Sequence, residues 1–325
     1  MDTTLEIKNE RLSRWLSLRW PPGFFLPGCP CCSGTASQAY YTFGGEKQGS
    51  PNTIVNTNYQ WSGGWTTKAA MAVTREQMGR GTPSSPNPLY VFGGDSSTSP
   101  FFLQRCDHYV PDTWATDTST TVAARYGVAS CSISGNCYSW GGKNSAGTRQ
   151  NTNEQLTPGS PSTWTAKATV TVALYFAAAT YIGSKGYNFA GSNTTPADTN
   201  GNYEFTPGGN SWATKTAVPS TARSGHSCFT IAGVAYNVWG GALVVNRNDS
   251  YVVDTWTAKA APPTYSNARQ YPSHASIDSS GVAWVTGGLK NTGALLADHS
   301  EYAPDTWTSR TTLTSTQSWG SSSPA

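Results

Sequence analysis

The chain has 325 residues, of which only 12% are charged, with a net charge of +3 and 12% aromatics that include 13 Trp and 16 Tyr. Charge this sparse, with no basic run, argues against nucleic-acid binding, and no stretch reaches the roughly 18 apolar residues a membrane-spanning helix needs. Ser, Thr, Asn and Gly must coat the surface while large rings take over burial from scarce Leu and Ile, which is the profile of a β-rich protein.

Residues 1–32 stand apart from everything that follows. Leu5, Ile7, Leu12, Trp15, Leu16, Leu18 and Trp20 form a partly amphipathic pattern that predicts a short helix, stopped by Pro21, Pro22 and Gly23. Cys29, Cys31 and Cys32 come next. Three thiols so close suit a metal site only in part, because the CxxC spacing and fourth ligand usual for zinc are missing; attachment, oxidation and packing are the alternatives. Acidic and basic groups mix through the first turns of the chain, and no secretory leader pattern is expected there.

From Ser33 onward, two landmarks recur. Trp65, Trp114, Trp164, Trp212, Trp256 and Trp307 lie 44 to 51 residues apart, and three of them sit in near copies of one motif, Asp-Thr-Trp at Asp112, Asp254 and Asp305. Glycine pairs that end aromatic runs keep the same clock: Gly44 and Gly45, Gly93 and Gly94, Gly141 and Gly142, Gly240 and Gly241, Gly287 and Gly288, with Ala190 and Gly191 as the sixth. Two independent series with one period in this range predict a repeat architecture.

Each unit reads as four short strands: a run such as residues 227–231, a turn at Ala232 and Gly233, a second run into the glycine pair, a Tyr strand after a variable loop, and a Trp strand. The last Trp has too little chain behind it for a new unit but enough for one strand. A strand near residues 312–318 is therefore expected to complete the blade whose other strands lie near residues 36–67. The prediction is an all-β, six-bladed β-propeller of four-stranded blades over residues 33–325, closed by the C-terminal strand joining the first blade, with a non-propeller segment at residues 1–32.

The glycine pair after an aromatic strand, the Tyr, the Trp and a following Arg (Arg75, Arg125, Arg223, Arg269) resemble the kelch repeat family. The third unit departs from the pattern, with Gln155 and Leu156 where Tyr is expected, and Thr286 stands where an aromatic should precede its pair. The resemblance implies a propeller. It also brings in galactose oxidase and sialic acid epimerases beside many non-enzymatic binding proteins, so it selects no activity.

Chemistry is harder to find. His108, His226, His274 and His299 are spread over different units, and no copper ligand set of the oxidase type can be assigned. The repeating Asp residues follow the repeat symmetry, which points to turn formation rather than catalysis. Asp95 follows a glycine pair once only and is placed on a face loop. Lys68, Lys167, Lys215 and Lys259 fall three residues after a repeat Trp, opposite the ring on a strand, and are expected to face solvent as edge protection. Cys131 and Cys137 flank a hairpin and form a disulfide only if the register brings them together.

The expectation is a non-enzymatic binding or structural propeller with no cofactor. It would be carried on the surface of a bacteriophage particle, attached to another virion protein through residues 1–32. Its loops at residues 95–102, 143–153, 192–202 and 289–296 would recognise a protein or a surface glycan, without nucleic acid and without membrane insertion. The alternatives are a carbohydrate-active enzyme of the sialic acid epimerase or galactose oxidase-like type, and a cellular kelch scaffold; extracellular and cytoplasmic locations are the alternatives to the virion.

Overall fold

The computed structural model describes residues 40–325 except 48–52, 84–87, 98–100, 111, 121–123, 194–196, 220, 242–245, 263–268, 273–274, 279, 291, 293, 314–315, 319–320 and 325. The helix expected in residues 1–32, the thiols of Cys29, Cys31 and Cys32, and His274 lie outside the described residues. Among those described there is no helix, and six four-stranded antiparallel sheets form the blades of a propeller.

Blades 2 to 5 each take four strands in chain order from the axis outwards. Blade 2 is Gly79–Gly81, Leu89–Phe92, Cys106–Val110 and Thr113–Thr116; blade 3 is Ala129–Ile133, Asn136–Trp140, Asn153–Thr157 and Thr163–Lys167. Blade 4 is Ala178–Ile182, Lys185–Ser192, Asp198–Thr206 and Ser211–Lys215, and blade 5 is Ser227–Ile231, Val234–Val238, Asn248–Val252 and Thr255–Ala258. Blade 6 is Ser276–Ile277, Ala283–Thr286, His299–Ala303 and Thr306–Arg310. Blade 1 joins the two ends of the propeller: Ser321–Pro324 is its inner strand, paired with Tyr40–Phe43, which is followed by Asn58–Trp61 and Trp65–Lys68. Closure is as expected, but the closing strand lies beyond residues 312–318. Gln317–Ser318 instead pairs with Glu46–Lys47 in a small separate sheet, and the chain needs those extra residues to reach the axis.

Burial is concentrated between blades. The six apolar clusters each fill one blade-to-blade interface, from Phe43, Met78, Leu89 and Tyr109 between blades 1 and 2 round to Trp61 and Trp284 between blades 6 and 1. The ring that ends the second strand of a blade meets the repeat Trp of the next blade edge-on: Phe43 with Trp114, Phe92 with Trp164, Trp140 with Trp212 and Phe189 with Trp256, at centroid distances of 5.7, 5.2, 5.2 and 5.1 Å. Where Thr286 replaces that ring, His299 takes its place against Trp65 at 5.0 Å.

Each repeat Trp also stitches backward. Its indole N–H donates to a backbone carbonyl of the preceding blade: Trp114 to Ala69, Trp164 to Thr118, Trp212 to Ala168, Trp256 to Thr216, Trp307 to Ala260, and, across the closure, Trp65 to Thr311. Of these six rings only Trp164 is buried; the others, Trp256 included, are half-buried. Holding a donor at the partly wet outer rim explains both the recurrence of Trp and its incomplete burial, since Phe would pack there but leave the carbonyl unmet.

Two local readings are corrected. The left-handed position that opens the turn after each second strand is held by Gly44, Gly93, Gly141, Ala190 and Gly287, with φ from 52° to 68°. In blade 5 it is held by Trp239 at φ 58°, so that Gly240 is the second member of the pair and Gly241, whose N–H bonds Ser224, stands where Asp95 and Ser192 stand in blades 2 and 4. Cys131 faces Tyr138 across the blade 3 hairpin while Cys137 faces Ser132. That one-residue offset sends the two side chains to opposite faces of the sheet, Cys131 toward blade 4 and Cys137 toward blade 2, and both thiols are free.

Candidate functional site

The repeating Arg is structural. Arg75 donates to Asp107 at 2.7 Å, Arg125 to Glu154 at 2.7 Å and Arg223 to Asp249 at 3.1 Å, each pair buried inside one blade. The same guanidinium groups reach the carbonyls of Val91, Gly141 and Trp239 beside the glycine-pair turns. Blade 4 puts Leu174 in this position and makes do without the ion pair.

The repeating Asp residues, and Lys68 and Lys259 among the repeating Lys, are structural as well. Asp112, Asp254 and Asp305 sit at φ 58°, 57° and 61° in the turn before the outer strand. The backbone N–H groups of Asp112 and Asp305 donate to the Tyr109 and Tyr302 hydroxyls, and the Tyr251 hydroxyl donates to Asp254. Lys68 and Lys259 are not free in solvent as expected: each is half-buried and pairs with the turn Asp of the next blade, Asp112 at 3.2 Å and Asp305 at 3.1 Å.

The three described histidines lie apart from one another. His108 bonds Asp117 on the outer part of blade 2, and His299 packs among Trp61, Trp65 and Trp284 with Thr286 against Nδ1. His226 is buried beside the axis, and burial, with Arg223 adding, pulls its pKa down to about 3, so it is neutral. Among the described residues no three His, Cys, Asp or Glu come together as a metal site.

What breaks the sixfold pattern lies on the axis. Five residues that precede the inner strands, Gln77, Gly127, Phe176, Gly225 and Tyr271, all have φ between 48° and 62°. From the second onward, each N–H donates to the carbonyl of the one before it: Gly127 to Gln77, Phe176 to Gly127, Gly225 to Phe176 and Tyr271 to Gly225, at 2.7 to 3.1 Å. These residues line the waist of the channel, where the free space is about 50 Å³.

On the side of the waist that carries the glycine-pair loops, rings form an unbroken arc. Phe102 meets Tyr126 at 5.1 Å, Tyr126 meets Tyr175 at 5.4 Å, Tyr175 meets Phe176 at 3.8 Å and Phe176 meets Tyr271 at 4.7 Å. The Lys143 ammonium lies 5.6 Å above the Tyr175 ring, and Arg149 donates to Ser192. Tyr175, Phe176 and Tyr271 share with Arg149, Ser192, Asp198 and Ser224 a depression of about 340 Å³. Burial, with Tyr126 and Tyr271 adding, raises the Tyr175 hydroxyl, which donates to Gln77 at 3.1 Å.

Next to the arc is a group of carboxylates. Glu76 and Asp95 are joined by backbone bonds in both directions at 2.9 Å. Burial pushes the Glu76 pKa up to about 8, with Glu46 and Asp95 adding to the rise and a hydrogen bond from Gln77 opposing it. Three of the four loops singled out from sequence supply the mouth: residues 95–102 give Phe102, 143–153 give Lys143 and Arg149, and 192–202 give Ser192 and Asp198. Its other rings, Tyr126, Tyr175, Phe176 and Tyr271, come instead from residues just before the inner strands, which the sequence reading did not single out.

No family model and no curated protein matches the chain. Among solved structures it is similar to one entitled "Structure of YjhT", at a TM-score of 0.67 and 15% identity, with 83% of this chain and 97% of that one covered. That likeness establishes the fold, a six-bladed β-propeller.

Proposed function

We propose that the protein is a non-enzymatic recognition propeller that binds a saccharide at the loop-side mouth of its channel. The observation that carries this reading is the arc from Phe102 to Tyr271 with amide, hydroxyl and charged groups beside it. Aromatic faces stack on the apolar faces of sugar rings, while Ser192, Asp198, Ser224 and Arg149 offer donors and acceptors for hydroxyls. Asp112, Asp254, Asp305, Arg75, Arg125, Arg223, Lys68 and Lys259 are engaged in holding the blades and their turns, which leaves them out of ligand chemistry. A surface poor in charge and rich in hydroxyls fits display on a bacteriophage particle, with residues 1–32 as the attachment to another virion protein. A glycan array probed with the purified chain tests the binding, followed by titration of the best glycan against Tyr271→Ala. Saturable binding that the variant weakens at least tenfold supports the reading; no glycan bound by the wild-type chain refutes it. Mass analysis of purified particles tests the virion assignment separately.

One observation favours a second reading. Glu76, with its pKa near 8, is poised at neutral pH to exchange a proton beside the mouth, as an epimerase-type enzyme requires. Interconversion of sugar epimers by the wild-type chain, abolished in Glu76→Gln, would decide for it.

A further inference from the structure

Beyond the waist, on the side of the hairpins that join inner and second strands, the channel widens into a cavity of about 290 Å³. The inner strands are antiparallel partners of the second strands, and successive residues alternate between the blade interface and the axis. In blade 2, a Cβ on Gly79 would strike Phe92 of the same blade and Val128 of the next, one on Gly81 would strike Cys137 of blade 3, and Arg80 between them turns to the axis. In blades 3 to 6 the same position carries Ser130, Ala179, Cys228 and Ala275. Four small side chains open the cavity, and one arginine enters it.

That arginine differs from the structural ones. Arg75, Arg125 and Arg223 each have a buried carboxylate, whereas none of the described carboxylates pairs with Arg80. The acidic residues outside the described part are only Asp2, Glu6 and Glu10. Among the described residues the Arg80 guanidinium has one hydrogen-bond partner, the backbone carbonyl of Ala275 in blade 6. Burial lowers its pKa to about 10, which leaves it charged at neutral pH. A partly desolvated guanidinium with no carboxylate partner among the described residues is costly, and its planar fork is matched to an oxyanion. Hydroxyls are at hand from Ser130, which accepts from the Arg80 N–H at 2.9 Å, and from Thr180 and Thr230, which bond each other at 2.8 Å.

We propose that this end of the channel is a binding site for a small oxyanion, a carboxylate or phosphate group of a small molecule, held by Arg80 with the surrounding Ser and Thr hydroxyls. The site is separate from the aromatic mouth and independent of the saccharide reading. Inorganic phosphate and acetate, titrated into the full chain at ionic strength held constant with sodium chloride, provide the probes, read by calorimetry and by the melting temperature. Saturable binding of either anion, weakened at least tenfold in Arg80→Met, supports the site. Binding of neither, or equal binding by the variant, overturns it. Should Arg80→Met fail to fold, Ser130→Asp keeps the arginine and supplies an internal carboxylate, which the Arg80 N–H contact puts next to it. That variant is expected to lose anion binding at least tenfold, and retention of wild-type binding there overturns the proposal as well.

Discussion

Lys68 at the end of the outer strand of blade 1 reaches Asp112 in a turn of blade 2, and Lys259 of blade 5 repeats the contact with Asp305 of blade 6. The carboxylates are more than half exposed, so water and salt screen both pairs. Lys68→Met is therefore expected to cost less than about 1 kcal/mol in chemical denaturation. A larger loss would show that the pair acts as a clasp between blades.

The buried ion pairs behave differently. Asp249 accepts from Arg223 and, at 2.7 Å, from Arg247, and its side chain is fully enclosed. Replacing it with Asn removes the counter-charge but leaves the buried Arg223 guanidinium in a low-dielectric interior, with the partly exposed Arg247 beside it. Asp249→Asn should cost about 3–5 kcal/mol. Denaturant midpoints of this variant and of Lys68→Met, measured side by side, check that the two kinds of pair differ.

Glu76 gives the fold a measurable pH response. With its pKa raised to about 8, the folded chain keeps the proton over a range in which the unfolded chain, near 4.5, has lost it. Stability from this group is therefore intact below about pH 4.5 and falls as pH rises toward 8. Glu76→Gln should flatten that slope and raise the melting temperature at pH 8 relative to wild type. An unchanged slope in the variant would show that Glu76 ionises normally in the folded protein.

The thiols of Cys106, Cys131, Cys137 and Cys228 are all buried, and burial raises each of them, Cys137 to about 12. They should resist alkylation in the native protein at pH 8 and react in denaturant. Peptide mapping without reductant reads this directly, and a peptide linking Cys131 to Cys137 would contradict the register of the blade 3 hairpin.

Much of the architecture was legible because the same physical demand recurs at each blade. A donor is needed at the outer rim and a left-handed residue after the second strand, and Trp and Gly answer both, so counting them counted the blades. Trp239 misled the count by one residue because it meets the left-handed requirement without being glycine. The partners of Lys68 and Lys259 were not legible, since each lies 44 or 46 residues away in another blade and is found only once the blades are placed side by side. Arg80 gave no signal in the sequence either. Its meaning comes from the contrast with Ser130, Ala179, Cys228 and Ala275, which are its equivalents only through the strand register.

The chain of bonds from Gln77 to Tyr271 round the waist is made by backbone alone. Its members bear side chains as different as glutamine, glycine, phenylalanine and tyrosine, yet the hydrogen bond is the same at each of the four described steps. The bore of the channel is thus uncoupled from the integrity of the ring. Substitution at Phe176 or Tyr271 can widen, narrow or re-polarise the aperture between the two ends without loosening the frame that holds it, which makes the waist an exchangeable diaphragm.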